Sequence, residues 1–224
     1  HPEDQSPPQK IVGRKREQRI LNDLITSEKA EFIAVYGRRR IGKTYLITNF
    51  LKSFPCVFFY VTGLQKSATP LQLKEFTKQL GTTFYHGAPI VTQKTWYDAF
   101  EKLTDAINTL SRDKTVVLFF DEFPWMATPR SGALAALELF WNRYWVSDKR
   151  IKLIICGSAT SWIVEKIIND KGGLHNRVTR SIRLQPFSLS EIEEFLKARK
   201  INLDRYQILQ LYMVMGGVPQ YLKE

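Results

Sequence analysis

Short apolar segments alternate with amphipathic segments along most of the chain. Four of the apolar segments are apolar on both faces and rich in β-branched and aromatic residues, which predicts buried strands, and a fifth is shorter. Between them, apolar residues recur every three or four positions, as in helices that bury one face. The predicted strands cover residues 32–36, 56–62, 115–120, 151–156 and 181–184. The predicted helices cover residues 11–25, 44–51, 73–80, 96–110, 133–146 and 161–169.

This alternation of buried strands and helices predicts an α/β fold, with a parallel sheet and helices on both of its faces. Such a sheet binds its ligand at the carboxyl ends of the strands. Two helices then follow without an intervening strand. Ser190 and Glu193 form a predicted capping box for the first, and Asp204 caps the second. The expected parts are a flexible lead-in (1–10), a core (11–187) and a small helical lid (188–224).

The composition is typical of a globular protein. Of 224 residues, 44% are hydrophobic and 25% charged, which allows one sizeable core and argues against disorder. No segment approaches the ~20 consecutive apolar residues of a membrane span, and the N-terminus lacks a signal-peptide pattern. Cys56 and Cys156 lie beside apolar residues, so we interpret both as reduced. We expect a cytoplasmic protein without membrane contact and, because the chain does not begin with Met, a fragment of a longer one.

The segment from Gly37 to Thr44 fits the pattern G-x-x-x-x-G-K-[S/T] of a phosphate-binding loop, the P-loop. It follows a predicted strand and precedes a predicted helix, as this loop requires. Gly37 and Gly42 let backbone amides approach phosphate closely, and the helix N-terminus adds partial positive charge. Lys43 is predicted to contact the β- and γ-phosphates of ATP, and the Thr44 hydroxyl to bind Mg²⁺. Nucleotide binding is assigned to Gly37, Arg38, Arg39, Arg40, Ile41, Gly42, Lys43, Thr44 and Tyr45.

The third predicted strand ends in two adjacent carboxylates, Asp121 and Glu122. Because charge is costly to bury, paired acids at the end of a buried strand indicate a use. Asp121 is predicted to hold Mg²⁺, directly or through water, and Glu122 to act as the general base that activates the attacking water. With the P-loop, these acids predict the parallel sheet of a P-loop NTPase, with helices on both faces and a helical lid.

Two further polar features lie near predicted strand ends. Ser158 follows the fourth strand and would face the γ-phosphate if that strand neighbours the P-loop strand, although a turn or helix cap looks the same. Arg177 is a candidate arginine finger, acting in its own chain or in a neighbouring subunit. Arg180 is the next candidate. For either arginine, an ordinary surface residue is the alternative.

The formal net charge is +11, and basic residues cluster in several places along the chain. Such a charge favours polyanions. The alternative is a solvated surface together with the charge that holds a nucleotide. Neither a zinc-ligand spacing nor an aromatic and basic strand of an RNA-binding type is present. Nucleic acid therefore stays open as a partner, beside ATP and ADP and a second copy of the chain.

The motifs together resemble a known group, the prokaryotic (archaeal and bacterial) ATPase family of the STAND branch, which is related to AAA+ ATPases. The resemblance covers nearly the whole chain from Ile11, and the combination of motifs is specific to it. It rests on IVGRKRE (11–17), VYGRRRIGKT (35–44), DEFPW (121–125), GS (157–158), LQPFS (184–188) and GGVPQYL (216–222).

The resemblance implies further site residues. Val12, Gly13 and Arg14 are expected near the adenine, and Pro219 of the lid is expected to report on the nucleotide. The family usually has Pro-Leu-Tyr-Gly-Arg before the fifth strand, whereas this chain has the segment 173–177, which keeps Arg177 but neither the Tyr nor the Gly. Family members usually continue into a winged helix and often a nuclease-like domain, which again suggests an excised ATPase domain.

Three functions are compatible with these residues. The first is a Mg²⁺-dependent ATPase that drives or times a conformational switch in a larger protein. The second is a nucleotide-binding switch with little turnover, in signalling or defence. The third is a DNA-associated module. Glu122 favours the first, because a protein that only binds nucleotide needs no general base.

Overall fold

The computed structural model describes residues 11–169 and 171–222, so the lead-in predicted at 1–10 lies outside the described residues. At its centre is a sheet of five strands in the order β2-β3-β4-β1-β5, and every neighbouring pair is parallel. The predicted α/β fold with a parallel sheet is therefore confirmed. The strands are β1 (Glu31–Tyr36), β2 (Cys56–Thr62), β3 (Thr115–Asp121), β4 (Ile151–Gly157) and β5 (Arg180–Arg183).

Nine α-helices accompany these strands in the described part of the chain. They are α1 (Lys15–Thr26), α2 (Lys43–Leu51), α3 (Thr69–Phe84), α4 (Trp96–Asn108), α5 (Phe123–Met126), α6 (Ala133–Phe140), α7 (Thr160–Ile163), α8 (Leu189–Ala198) and α9 (Arg205–Met215). The first helix begins later than predicted, because Gly13 and Arg14 adopt left-handed backbone conformations (φ 65° and 54°) that precede it. The short helix α5, directly after the two acids, was not predicted.

The sheet separates two apolar layers. Consecutive residues of a strand face opposite sides, so Phe32 and Ile33 of β1 belong to different layers. One layer packs against α3, α4 and α6, and the other against α1 and α2. Both Phe119 and Phe120 of β3 are fully buried, which explains why the central strands are apolar at every position. A third, smaller cluster joins α8 and α9 and consists of Phe187, Ile192, Phe195, Leu196, Ile208 and Leu222.

Two predicted helices contain a wider turn. The regular part of α6 ends at Phe140, and a π-helical turn follows at Trp141–Trp145. Both tryptophans of that turn are buried, Trp141 against Phe32 and Trp145 against Phe100. A second π-helical turn, Val164–Ile168, follows α7. Periodicity predicts a helix in both places but does not separate these turns from regular helix, because the apolar spacing is nearly the same.

The capping box predicted at Ser190 and Glu193 is wrong. The sequence contains two overlapping Ser-x-x-Glu patterns, and the helix uses the earlier one: the Ser188 side chain accepts a hydrogen bond from the Glu191 amide, and the Glu191 carboxylate accepts one from the Ser188 amide. The Glu191 carboxylate also accepts a bond from the amide of Arg14, a long-range contact that no local pattern reveals. The cap predicted at Asp204 is confirmed. The boundary between core and lid near residue 187 stays a prediction.

Candidate functional site

The P-loop connects the carboxyl end of β1 to α2. Gly37 (φ 146°) must be glycine, because a Cβ there would lie 2.4 Å from the carbonyl oxygen of Leu184. Gly42, at φ 89°, is the N-cap of α2. Lys43 is 5% exposed, and its Nζ donates to the carbonyl oxygens of Gly37 (3.0 Å) and Arg38 (2.9 Å). The Lys43 ammonium group is therefore hydrogen-bonded to neutral carbonyl oxygens, which phosphate oxygens can replace.

Asp121, at the end of β3, lies against the P-loop helix. The Thr44 hydroxyl donates to Asp121 Oδ2 at 2.6 Å, and Asp121 is 3% exposed. Burial raises the pKa of the Asp121 carboxyl, while the Thr44 hydrogen bond acts in the opposite direction. Mg²⁺ prefers oxygen ligands and takes the rest of its shell from phosphate and water. Thr44 and Asp121 fit this ion, since a cation would compensate the buried charge.

Glu122 is held in a strained backbone conformation beside them. Its φ is 46°, in the left-handed region that non-glycine residues rarely occupy. Gly63 makes room for it, because a Cβ on Gly63 would lie 2.4 Å from the Glu122 carbonyl oxygen. Glu122 Oε2 accepts hydrogen bonds from the Ser158 amide (3.1 Å) and the Ser158 hydroxyl (2.9 Å). The predicted base and the predicted polar residue after β4 are therefore in direct contact.

The strand order explains this contact. β4 pairs with β1 on one side and with β3 on the other, so the condition stated for Ser158, that its strand neighbours the P-loop strand, is fulfilled. Lys43, Thr44, Asp121, Glu122 and Ser158 then meet at one edge of the sheet, because parallel strands place their carboxyl ends together.

A cavity of about 630 Å³ extends from the P-loop toward the C-terminal helices. This volume lies within the range of sites for small molecules and cofactors. Its phosphate-loop end is lined by Lys43 and Thr44, with Glu122 beside them, and residues 39–42 and Tyr45 also line it. Apolar residues beyond the phosphate loop suit a planar base, although Arg14, Arg199 and Gln220 also line the cavity. The apolar lining includes Ile11, Val12, Phe187, Phe195, Ala198 and Pro219.

Arg14 joins three parts of the molecule at this cavity. Its guanidinium donates to the Ile41 carbonyl oxygen of the P-loop (3.3 Å) and lies 4.6 Å from the centre of the Phe187 ring. Its own amide donates to Glu191 Oε1 of α8 at 3.0 Å. Gly13 (φ 65°) packs under the same Glu191 side chain. The residues expected near the adenine, Val12 to Arg14, thus contact both the P-loop and the C-terminal helices.

Sequence reasoning missed part of this cavity. Phe187, Phe195 and Arg199 line it, and Arg199 lies 4.7 Å from the centre of the Phe195 ring. The apolar spacing of α8 places Phe195 on a buried face, but it does not show that this face borders a ligand cavity.

Arg177 does not lie with the other candidates. It precedes β5, and the amide of Thr179 donates to the Phe32 carbonyl at the start of β1. Arg177 is therefore near the amino ends of these strands, whereas the P-loop follows their carboxyl ends, about 10–20 Å away at ~3.3 Å per strand residue. Arg177 cannot serve the site of its own chain in this conformation. Arg180 contacts Asp23 at 3.5 Å.

The sequence matches, over residues 11–224, the family described as an ATPase domain predominantly from Archaea. The chain belongs to this family. It is therefore an ATPase domain, and the resemblance to the prokaryotic P-loop ATPases is confirmed. A curated relative is the uncharacterised protein MJECL04 of Methanocaldococcus jannaschii, which is 24% identical over 214 residues, covering 96% of this chain and 44% of that protein.

Solved structures share the fold. The Walker-type ATPase PABY2304 of Pyrococcus abyssi superposes with a TM-score of 0.67 at 19% identity, over 95% of this chain and 65% of that one. The ORC2 protein of Aeropyrum pernix, in ADPNP and ADP complexes, gives 0.62 at 18% identity, over 90% and 55%. The STAND protein PH0952 of Pyrococcus horikoshii, which has a tetratricopeptide repeat sensor, gives 0.55 at 22% identity, over 95% and 29%.

The chain thus spans less than two thirds of the length of MJECL04 and of PABY2304. Among the helices formed by residues 11–169 and 171–222, none has the length and hydrophobicity that a bilayer span requires.

Proposed function

We propose that this ATPase domain binds ATP with Mg²⁺, hydrolyses it, and thereby drives or times a conformational change in a longer protein. The observation that carries the proposal is the 2.6 Å contact between Thr44 Oγ1 and Asp121 Oδ2. It joins two motifs that lie 77 residues apart in the chain, and each motif is a known component of a phosphoryl-transfer site.

The side chains have separate roles in this proposal. Lys43 binds the β- and γ-phosphates, and Thr44 and Asp121 would hold a metal ion, which would neutralise charge on the phosphates. Glu122 takes the proton of the attacking water. Ser158 fixes the carboxylate of Glu122 through two hydrogen bonds to one oxygen, so that the other oxygen remains to face the water.

The conformational part of the proposal rests on the cavity walls. Val12, Arg14 and Pro219 line the cavity beyond the phosphate loop, and Arg14 contacts both the P-loop and α8. A nucleotide in the cavity would contact the core and the C-terminal helices at once. Exchange of ATP for ADP can therefore shift the position of these helices relative to the core. This arrangement supports a nucleotide-dependent switch, as the resemblance to STAND ATPases suggests.

One experiment distinguishes the candidate functions. ATP turnover is measured with and without Mg²⁺, with and without DNA, and over a wide range of protein concentration. We expect turnover that requires Mg²⁺. Tight ATP binding without turnover would instead favour a switch that rarely hydrolyses, and DNA binding without nucleotide that weakens steeply with salt would favour a nucleic-acid module.

A further inference from the structure

The three consecutive arginines of the P-loop have different surroundings, although all three are exposed. Arg40, at φ 68°, lies 3.5 Å from the Tyr221 hydroxyl near the end of the described chain. Arg39 Nη2 donates to Gln65 Oε1 at 3.3 Å. The carbonyl oxygen of Arg38 accepts a bond from Lys43. Of the three, Arg39 and Arg40 line the nucleotide cavity.

The contact between Arg39 and Gln65 crosses the catalytic edge of the sheet. Arg39 follows β1 and Gln65 follows β2, and the strand order places β4 and β3 between them. Three strand spacings amount to about 14 Å. The ends of the two intervening strands carry Ser158 and Glu122, so Arg39 and Gln65 come from loops on either side of the base. Arg39 and Glu122 line the same cavity.

Arg39 is also held more weakly than Arg14, a buried cation of the same cavity. Arg14 contacts the Ile41 carbonyl and the Phe187 ring, and it is 5% exposed. Arg199 lies over the Phe195 ring. The described contact of the Arg39 side chain is one hydrogen bond to a neutral amide oxygen. Phosphate carries the opposite charge and can accept two parallel bonds from a guanidinium, which the neutral amide oxygen of Gln65 does not offer, so exchanging Gln65 for a phosphate oxygen is favourable.

We propose that Arg39 is a catalytic residue that acts in cis: its guanidinium leaves Gln65 and binds the γ-phosphate of ATP held by the same P-loop. Phosphoryl transfer spreads negative charge over the γ-phosphate oxygens, and an arginine that stabilises this charge is worth about 10³–10⁵ in rate. The inference rests on the proposed function, because it needs ATP in the cavity. Arg39 would give the domain a second cation, besides Lys43, at the γ-phosphate of its own chain. Arg177 cannot take this role within the same chain, because it lies at the opposite edge of the sheet.

The test compares three substitutions with the parent protein. Arg39→Gln removes the cation, Gln65→Ala removes its partner, and Lys66→Gln removes an exposed charge on the same loop as a matched control. Each protein is assayed for ATP turnover, for ATP and ADP affinity by titration calorimetry, and for binding of ADP with aluminium fluoride, which mimics the transferring phosphoryl group.

We expect Arg39→Gln to lower turnover by at least about 100-fold and to lose tight binding of ADP with aluminium fluoride, with ADP affinity unchanged. Gln65→Ala and Lys66→Gln should keep the parent's turnover. Equal turnover in Arg39→Gln and the parent would overturn the proposal. So would an equal loss in Gln65→Ala and Arg39→Gln, because the bridge itself would then matter.

Two further outcomes separate this inference from the assumptions behind it. If the parent binds ATP but does not hydrolyse it, the proposed function fails, and Arg39 is still tested by whether Arg39→Gln loses the preference for ATP over ADP. If mixing Arg39→Gln with Glu122→Gln protein restores turnover, Arg39 acts on a neighbouring chain and the cis assignment is wrong.

Discussion

At the scale of single residues, the site combines buried charge with replaceable partners. Lys43 rests on two carbonyl oxygens, and the buried Asp121 is bound by the hydroxyl of Thr44. Neither group faces an opposite charge in these contacts. Buried charge without a counter-charge costs free energy, and a metal–nucleotide complex would supply both signs at once. Such a site is organised for its ligand in advance.

Lys43→Ala should abolish tight ATP binding. The variant loses contacts to the β- and γ-phosphates, and hydrogen bonds to charged groups are worth about 1.5–3 kcal/mol each, so two of them correspond to an affinity loss of roughly 10²–10⁴-fold. Titration calorimetry measures this loss. Lys114→Ala, at an exposed lysine before β3, is the control. Parent-like affinity in Lys43→Ala would exclude the assigned role.

Glu122→Gln should separate binding from chemistry. The amide keeps the shape of the side chain, and its oxygen can still accept the bonds from Ser158, but it cannot take a proton. We expect ATP affinity to be retained while turnover falls by about 10²–10⁴-fold, the range of general-base catalysis. Turnover at the parent's rate would show that Glu122 is not the base and would strengthen the switch with little turnover.

At the scale of elements, the C-terminal helices are fixed by their caps and by contacts to the core. Glu191 serves both purposes, because its carboxylate completes the capping box of α8 and accepts the bond from the Arg14 amide. The start of α8 is thereby tied to the segment that precedes α1. A change at this helix start should therefore be transmitted to the cavity wall, where Arg14 contacts the P-loop.

Ser188→Ala should destabilise the protein, whereas Ser190→Ala should not. Loss of a serine cap costs about 1 kcal/mol, which corresponds to a melting temperature lower by roughly 2–4 °C in a chain of this size. Both serines are exposed and two residues apart, so they form a matched pair for thermal unfolding. A larger loss of melting temperature in Ser190→Ala than in Ser188→Ala would instead support the capping box expected from the sequence.

At the scale of the whole molecule, the sheet separates Arg177 from the nucleotide site. The P-loop lies at the carboxyl edge, and Arg177 lies near the amino edge beside the start of β1. An arginine finger at this position can act only on a second copy of the chain. The net charge of +11 does not prevent such an assembly if the negatively charged ATP lies at the contact, and salt would screen the remaining repulsion.

Arg177→Ala should lower turnover much more than ATP affinity if the finger acts in trans. Specific activity of the parent protein should then rise with protein concentration. Glu122→Gln protein, which keeps its arginine, should partly restore Arg177→Ala protein on mixing. Flat activity over a wide concentration range, without restoration, would rule out this role. Unchanged turnover in Arg177→Ala would leave Arg180 as the next candidate for the arginine finger.

The class of fold and the chemical groups of the site follow from short segments of the sequence. Strands that are apolar at every position can only be buried on both faces, and the P-loop places Gly37, Lys43 and Thr44 within eight consecutive residues. The two acids after β3 are adjacent in sequence. These features are local, so they can be read from the pattern of neighbouring residues.

Which distant groups meet depends on how the elements pack in the folded chain. The order β2-β3-β4-β1-β5 brought Ser158 to Glu122, carried Arg39 across to Gln65 and left Arg177 at the far edge. The helix cap is Ser188 and not Ser190, and Glu191 of that cap also contacts Arg14, which is 177 residues away in the chain. Strand order and such contacts depend on packing between segments far apart in the chain. Two equally good local patterns, such as the overlapping Ser-x-x-Glu sequences, therefore do not show which of them the folded chain uses.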